Sequence, residues 1–436
     1  MNNLPMTELD RHDIQGLVLR GYGMPLATYL FYRFDTSAAA RRWLASMIDP
    51  MTTAAEWEAT PAWCANLALT YPGLRALELP AELLAGFPEA FRQGMAARSV
   101  TKLADAVDDH PEHWEAIPPF TTGGVHAMVM VWARSQAELD ARLVEFGAQA
   151  EQAAGITLVG FQPLATLEGR EHFGFADPIS QPAIAGDRSA DAGSDGQAPI
   201  AAGEFLLGYP DELGRTTTLA PEVLSRNGTY AVYRKLYQDV AAFRAFLGPD
   251  DAEQLAAKLM GRWRSGAPLA VAARADDPDL TADRLRADAF DYTEDPVGYI
   301  CPRGAHVRRA RPRDGSPTVR RRRLIRRGMP YGRPLPDAAG DDGVDRGLVG
   351  IFLNADIERQ YEFVQRQWLN APSFDGLWNE TDPILGPAGR DFTWQRRPVP
   401  RRCAGLPRFV TVRGGEYFFV PGISALRFLS TTQVRV

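Results

Sequence analysis

The strongest constraint on the fold is an alternation of short, aromatic-rich apolar runs with helical stretches, met twice along the chain. Residues 26–34 (LATYLFYRF) follow Pro25 and alternate in character, which predicts a strand. Residues 36–48 put Trp43, Leu44 and Ile48 on one helical face, with Asp35 or Thr36 as N-cap. A strand over 64–71, a helical stretch over 80–97 and a strand over 126–132 (HAMVMVW) follow. Ser135 with Glu138 three residues on is a capping box opening a helix to about residue 154. A fourth strand over 156–162 completes the order β-α-β-(α)-β-α-β, that of a ferredoxin-like unit.

The second half repeats the plan. A strand over 229–237 leads into a helix from 239 to about 247. A buried strand over 348–354 leads into a helix over 356–369. Residues 409–419 predict a hairpin turning at Gly414-Gly415, and a last helix covers about 423–429. The expected fold class is α+β, with two stacked ferredoxin-like halves and antiparallel sheets. Residues 1–200 form the first half and 201–436 the second. Residues 186–203 and 310–320 have loop composition.

The hydrophobic share of 45% is ample for a large core. A net charge of -6 offers no global attraction to nucleic acid or anionic lipid. Cys64, Cys301 and Cys403 are odd in number and widely spaced, which fits a reducing compartment rather than a disulfide framework. No apolar run has the length of a membrane span, and the polar first residues carry no export signal, so a cytoplasmic protein is the expectation.

A metal or haem site must draw on six histidines or on sulfur. His12, His110 and His113 lie in polar stretches, and His126 opens a strand, where a structural role is the simpler reading. His306 lies in YICPRGAHVRRARPR (299–313), with further arginines at 320–323 and 326–327. This segment fits a solvated basic loop, a nucleic-acid contact or an anion pocket. His172 opens HFGFADPISQP (172–182), in which Asp177 stands among Phe173, Phe175 and Ile179. A carboxylate in apolar surroundings needs a partner or a task; a plain turn-capping role is the alternative.

HFGFADPISQP resembles the signature of the dye-decolorizing (DyP-type) haem peroxidases, in which a glycine, here Gly174, precedes the distal aspartate, here Asp177, by three residues. DIQGLVLRGYG (13–23), GEFLLGYPDE (203–212), NGTYAVYRKLYQDV (227–240), CPRGAHVRRARPR (301–313), IRRGMPYG (325–332), FLNADIERQYEFVQRQWL (352–369) and GLPRFVTVRGGEYFFVPGISALRFL (405–429) are similar to that family in the same order.

The resemblance implies haem b bound in the C-terminal half near the interface between the halves, with His306 as the axial metal ligand. The other imidazole nitrogen then needs a carboxylate, and Asp382 is the candidate, with Glu380 as the alternative. Asp177 is implied as the acid–base toward hydrogen peroxide and Arg326 as the group stabilising developing charge. Arg326 is also expected to favour an ionised Asp177 against its desolvation. Arg313 is the best match for a haem-propionate contact, with Arg308 or Arg309 assisting. Ile351 and Leu353 are candidates for the distal wall. Electrons from bulky organic reductants such as dyes and phenols need a surface relay. Tyr331, Trp368, Trp378 and Trp394 are candidates for it. An aspartate base predicts an acidic optimum.

One departure stands out. The family pattern has glycine after the distal aspartate, and this chain has Pro178, which lacks a backbone donor and restricts Asp177. A haem-handling protein with weak peroxidase activity is therefore one alternative. A non-haem iron site of His172, His306 and Asp177 is a second, and a basic-loop nucleic-acid binder a third. Such families often form dimers or larger assemblies, which leaves a homo-oligomer open.

Overall fold

The computed structural model describes residues 8–105, 107–177, 180–187, 198–337 and 339–431. Its strands are β1 (Leu26–Phe34), β2 (Trp63–Leu69), β3 (Ala127–Ala133), β4 (Ile156–Ala165), β5 (Thr229–Gln238), β6 (Ile325–Arg326), β7 (Met329–Tyr331), β8 (Gly347–Asn354), β9 (Phe392–Trp394), β10 (Arg401–Cys403) and β11 (Val410–Val420). A single antiparallel sheet runs β4-β1-β3-β2-β11-β5-β8-β6, with β7 also on β8; β9 and β10 pair separately.

The first four strands stand in the order fourth, first, third, second, the ferredoxin-like arrangement. Counted from β5, the strands of the second half repeat that order as β11-β5-β8-β6. The two sets join where Phe419 of β11 faces Leu69 of β2. β4, at one end of the sheet, packs beside β7 at the other, so the twisted sheet curls toward a barrel.

The predicted caps are present. Thr36 Oγ1 accepts from the Ala39 amide at 3.2 Å and starts the helix Ser37–Ser46, which buries Trp43 and Leu44. Ser135 accepts from Glu138 N at 3.3 Å and starts Gln136–Ala153.

Three elements differ from the sequence reading. The stretch over 80–97 is broken into the short helices Ala81–Ala85, Glu89–Gln93 and Met95–Arg98, interrupted at Pro88 and at Gly94, whose φ is 75°. Gly414-Gly415 makes no hairpin turn. Val410–Val420 is one long strand whose register against β5 shifts between Val412 and Gly414, a bulge that leaves Arg413 as the extra residue. Gly415 is required there because a Cβ would collide with Met95 Sδ. The helix over 356–369 is wound more widely than α, as Glu362 N bonds Ile357 O at 2.9 Å and Asn370 N bonds Gln365 O at 2.9 Å.

Alternation along the strands divides the second half of the sheet into two faces. Tyr233, Ile351 and Leu353 pack into the main core. Leu236, Gln238, Gly350, Phe352, Val410 and Val412 border a cavity between the sheet and the helices of the C-terminal half.

Candidate active site

The cavity encloses about 350 Å³, and both signature segments reach it. On one wall His306 begins the short helix His306–Ala310. Its Nδ1 lies 2.9 Å from Asp382 Oδ2, which leaves Nε2 as the nitrogen available to a ligand. The other carboxylate oxygen of Asp382 accepts from Ile384 N at 2.9 Å and Leu385 N at 2.8 Å. Asp382 thus caps the turn around Pro383 and orients the imidazole at once. Glu380, the alternative partner, is engaged with Thr393 N at 3.0 Å and Thr393 Oγ1 at 2.6 Å. Burial works against charge on both members of the pair. Their mutual attraction prevails, so the Asp382 carboxyl is held below its ordinary range and the His306 imidazole is pushed up.

Asp177 and Arg326 border the same cavity. Burial pushes the Asp177 carboxyl above the usual carboxylate range, while Arg326 and His306 pull it down. Burial prevails, so the offset expected from Arg326 is only partial. The loop before Asp177 is held from several sides. Gly174 adopts φ 94°, and a Cβ there would stand 2.8 Å from Arg264 Nη1. Arg264 donates to Phe173 O. The buried Glu171 carboxylate accepts from Phe173 N and Phe175 N, both at 2.9 Å, and from Gln238 Nε2 at 2.5 Å. Asp177 N itself donates to Gly169 O at 2.9 Å. Pro178 and Ile179 lie outside the described residues.

The arginines divide by direction. Arg313 borders the cavity, with its guanidinium stacked 3.9 Å from the Phe290 ring centre and donating to Asp288 O at 2.6 Å. Arg262 borders it too and pairs with Asp288 at 2.7 Å. Arg308 and Arg309, expected to assist Arg313, point elsewhere. Arg308 lies against Tyr292 and donates to Asp295 O at 2.9 Å and Cys301 O at 2.7 Å. Arg309 is fully buried, its guanidinium consumed by the carbonyls of Trp368, Leu369, Ala371 and Glu380. Further along, Arg320 is paired with Glu212, and Arg321 with Glu204 and Asp211, so these charges are used internally.

Of the two residues expected to wall the pocket, Ile351 borders it where Gly350 carries no side chain. Leu353 does not border it and packs in the core, because alternation turns it to the opposite face. Tyr331 is buried away from the cavity, its hydroxyl donating to Asp345 at 3.1 Å. Trp368 borders the cavity, and Trp394 is buried under Lys258. Trp378 is 86% exposed. His172 is held by Tyr331 O at 2.7 Å and does not border the cavity, so no site of His172, His306 and Asp177 assembles. Among the described residues no group of three or more histidine, cysteine or acidic side chains could hold a metal ion.

Sequence reasoning missed Glu171 and Arg262. Glu171 stands directly before His172, where the signature begins, between two polar residues, Arg170 and His172, and nothing local marks it as buried. Arg262 carries no local signal.

Two family models match the chain. Residues 13–159 match the DyP dimeric alpha+beta barrel domain, and residues 215–381 match the C-terminal part of Dyp-type peroxidases. The chain belongs to the dye-decolorizing (DyP-type) peroxidase family. It is 31% identical to peroxidase 2 of Mycetinis scorodonius over 96% of this chain and 87% of that protein. It is 31% identical to a dye-decolorizing peroxidase of Mycena epipterygia over 96% of this chain and 86% of that protein. A solved dye-decolorizing peroxidase in complex with 2,6-dimethoxyphenol superposes with a TM-score of 0.86 at 29% identity, covering 97% of this chain and all of that one. As a DyP-type peroxidase the chain is an oxidoreductase acting on peroxide, from a family that binds haem. No helix among the described residues is long and apolar enough to cross a membrane.

Proposed function

We propose that the cavity holds haem b, with His306 Nε2 as its iron ligand, and that Asp177 and Arg326 activate hydrogen peroxide for the oxidation of dyes, phenols or similar organic reductants. The donor set fits such a group. An imidazole with one free nitrogen stands on one wall, a carboxylate and a guanidinium border the same space, and Arg313 and Arg262 offer partners for propionates. When bound, the haem supplies the redox chemistry that breaks the O–O bond and withdraws electrons from the reductant.

The protein's own part is proton movement and charge. Asp177 takes the proton from one peroxide oxygen and delivers it to the other, which leaves as water. The Arg326 guanidinium stabilises negative charge on the departing oxygen. Asp382 holds His306 in one tautomer and keeps it electron-rich. The exposed Trp378 is the best-placed of the candidate aromatics to meet a bulky dye, with Trp368 beside the cavity; Tyr331 is a buried candidate. Free Cys64, Cys301 and Cys403 support a reducing, cytoplasmic location, and the dimeric description of the N-terminal family model supports a homo-oligomer.

The observation that carries this reading is the short Asp382–His306 contact in a cavity that Asp177 and Arg326 also border. Asp177 must be ionised to act as base, so activity falls as pH drops through its raised pKa; a maximum on the acid side of neutrality is still expected. A maximum above neutrality would remove Asp177 from this role.

The test compares absorption spectra and peroxide consumption of the purified protein with those of two variants. His306→Ala should abolish the axial-ligand signature. Asp177→Asn should keep the Soret band and slow peroxide consumption by about 10²- to 10⁴-fold. Unchanged spectra in His306→Ala refute the reading. A parent protein that binds haem yet barely consumes peroxide supports the haem-handling alternative raised by Pro178.

A further inference from the structure

The strand that carries Arg326 is only two residues long and lies at the end of the sheet. Ile325 faces Leu353 and Arg326 faces Phe352, while Arg327 N donates to Ile351 O at 2.9 Å. In an antiparallel ladder, facing residues alternate between bonded and non-bonded pairs. The bonded pair at Arg327 makes Arg326 a non-bonded one, so its amide and carbonyl point outward, away from β8. An open edge of this kind needs partners for both groups.

The Gln181 side chain supplies both. Its Oε1 accepts from Arg326 N at 3.0 Å and its Nε2 donates to Arg326 O at 3.0 Å. A carboxamide carries a donor and an acceptor in one plane, as a peptide group does, so this one side chain stands in for a missing strand. A third bond runs the other way, from Arg326 Nη2 to the backbone carbonyl of Ser180. Residues 180 and 181 follow Asp177 by three and four positions. The loop that carries the acid–base is therefore stapled to the backbone and to the guanidinium of the arginine.

We propose that Gln181 is a positioning residue that sets Arg326 in register with Asp177, without itself touching peroxide. This rests on the reading of Asp177 and Arg326 given above. Its consequence is that the separation of the two groups depends on the Gln181 side chain as well as on the Ser180 carbonyl.

The test uses the full-length holoprotein and the variants Gln181→Ala and Gln181→Glu. Alanine removes both backbone bonds; glutamate keeps the acceptor for Arg326 N and loses the donor to Arg326 O. Amide hydrogen exchange of the segment around residue 326 should accelerate in both, more in the alanine variant, whether or not haem is bound. The kcat/KM for peroxide should fall by about 10- to 100-fold in Gln181→Ala, the size expected for a misplacement of about 1 Å, and by less in Gln181→Glu. Cyanide affinity should weaken in parallel, while haem content and kcat/KM for a small reductant stay with the parent. Unchanged exchange in both variants overturns the staple. Faster exchange with kcat/KM for peroxide within about twofold of the parent overturns the positioning role. Equal loss of haem content and of both kcat/KM values assigns Gln181 a merely structural role and also overturns the proposal. A parent that consumes no peroxide instead overturns the assignment of Asp177 and Arg326, and the exchange result still decides whether the staple exists.

Discussion

Replacing Asp382 by alanine removes the acceptor from three donors at once: His306 Nδ1, Ile384 N and Leu385 N. Asp382 is 2% exposed, so water cannot readily take its place. A buried donor left without a partner costs about 1–3 kcal/mol. Breaking a buried ion pair by deleting one member costs about 3–5 kcal/mol, and the same range is expected for Asp382→Ala. Asp382→Asn differs in a useful way. The amide oxygen can still serve Ile384 and Leu385, so the turn survives, and only the charge-assisted bond to His306 is lost, worth about 1.5–3 kcal/mol. Urea unfolding of the haem-free chain should therefore rank parent, asparagine and alanine in that order. Titration with haem should find affinity lowered by about 10- to 100-fold in the asparagine variant, the usual effect of removing the partner of a ligating histidine. Haem affinity unchanged in Asp382→Asn would show that the carboxylate does not orient the ligand. Alanine and asparagine variants of equal stability would refute the separation of its two roles.

Glu416 gives a pH test away from the active site. It is buried in β11 with Met95 N at 3.0 Å and Tyr417 N at 2.7 Å on the same oxygen, and burial raises its pKa to about 7. A carboxyl whose folded pKa lies above its unfolded value favours the folded state most below about 4.5 and loses that contribution as pH rises toward 7, about 3 kcal/mol in all. Glu416→Gln keeps the acceptor and should flatten this part of the stability profile; an unchanged slope between those pH values contradicts it. Gly174→Ala forces a side chain into positive φ against Arg264 and should cost about 1–3 kcal/mol while slowing peroxide consumption. An active, equally stable Gly174→Ala would mean the loop tolerates another path. Trp378→Phe should slow turnover of a bulky dye and leave peroxide consumption with a small phenol unchanged, whereas equal rates with both reductants would remove Trp378 from the route.

The first half of the fold was legible because its signals are local. The strand signal in residues 26–34 and the caps at Thr36 and Ser135 depend on near neighbours, and the structure keeps the strand, buried on both faces over most of its length, and both caps. Gly414-Gly415 was misread because a hairpin and a bulge use the same glycines. Which one forms depends on whether a strand from residues 229–238 lies alongside, a contact nearly two hundred residues away. The interrupted helix over 80–97 is a different case, since its breakers, Pro88 and Gly94, are visible in the sequence itself.

The candidate site divides along the same line. The family resemblance implied His306 as ligand with Asp382, or else Glu380, as the acceptor of its other nitrogen, and the 2.9 Å contact brings His306 to Asp382. The arginines are harder to sort from sequence. Arg308, Arg309 and Arg313 are equivalent as charges in a string, yet each points where an oxygen partner waits. The carbonyls of residues 368–371 draw Arg309 inward, Asp295 and Cys301 hold Arg308, and Asp288 holds Arg313 together with Arg262 at the cavity. The choice among neighbouring guanidiniums is thus made by acceptors distant in sequence. Changing Asp288 should then disturb two arginines of the proposed anion-binding wall at once, since its Oδ1 lies 2.7 Å from Arg262 Nη2 and 3.4 Å from Arg313 Nη2.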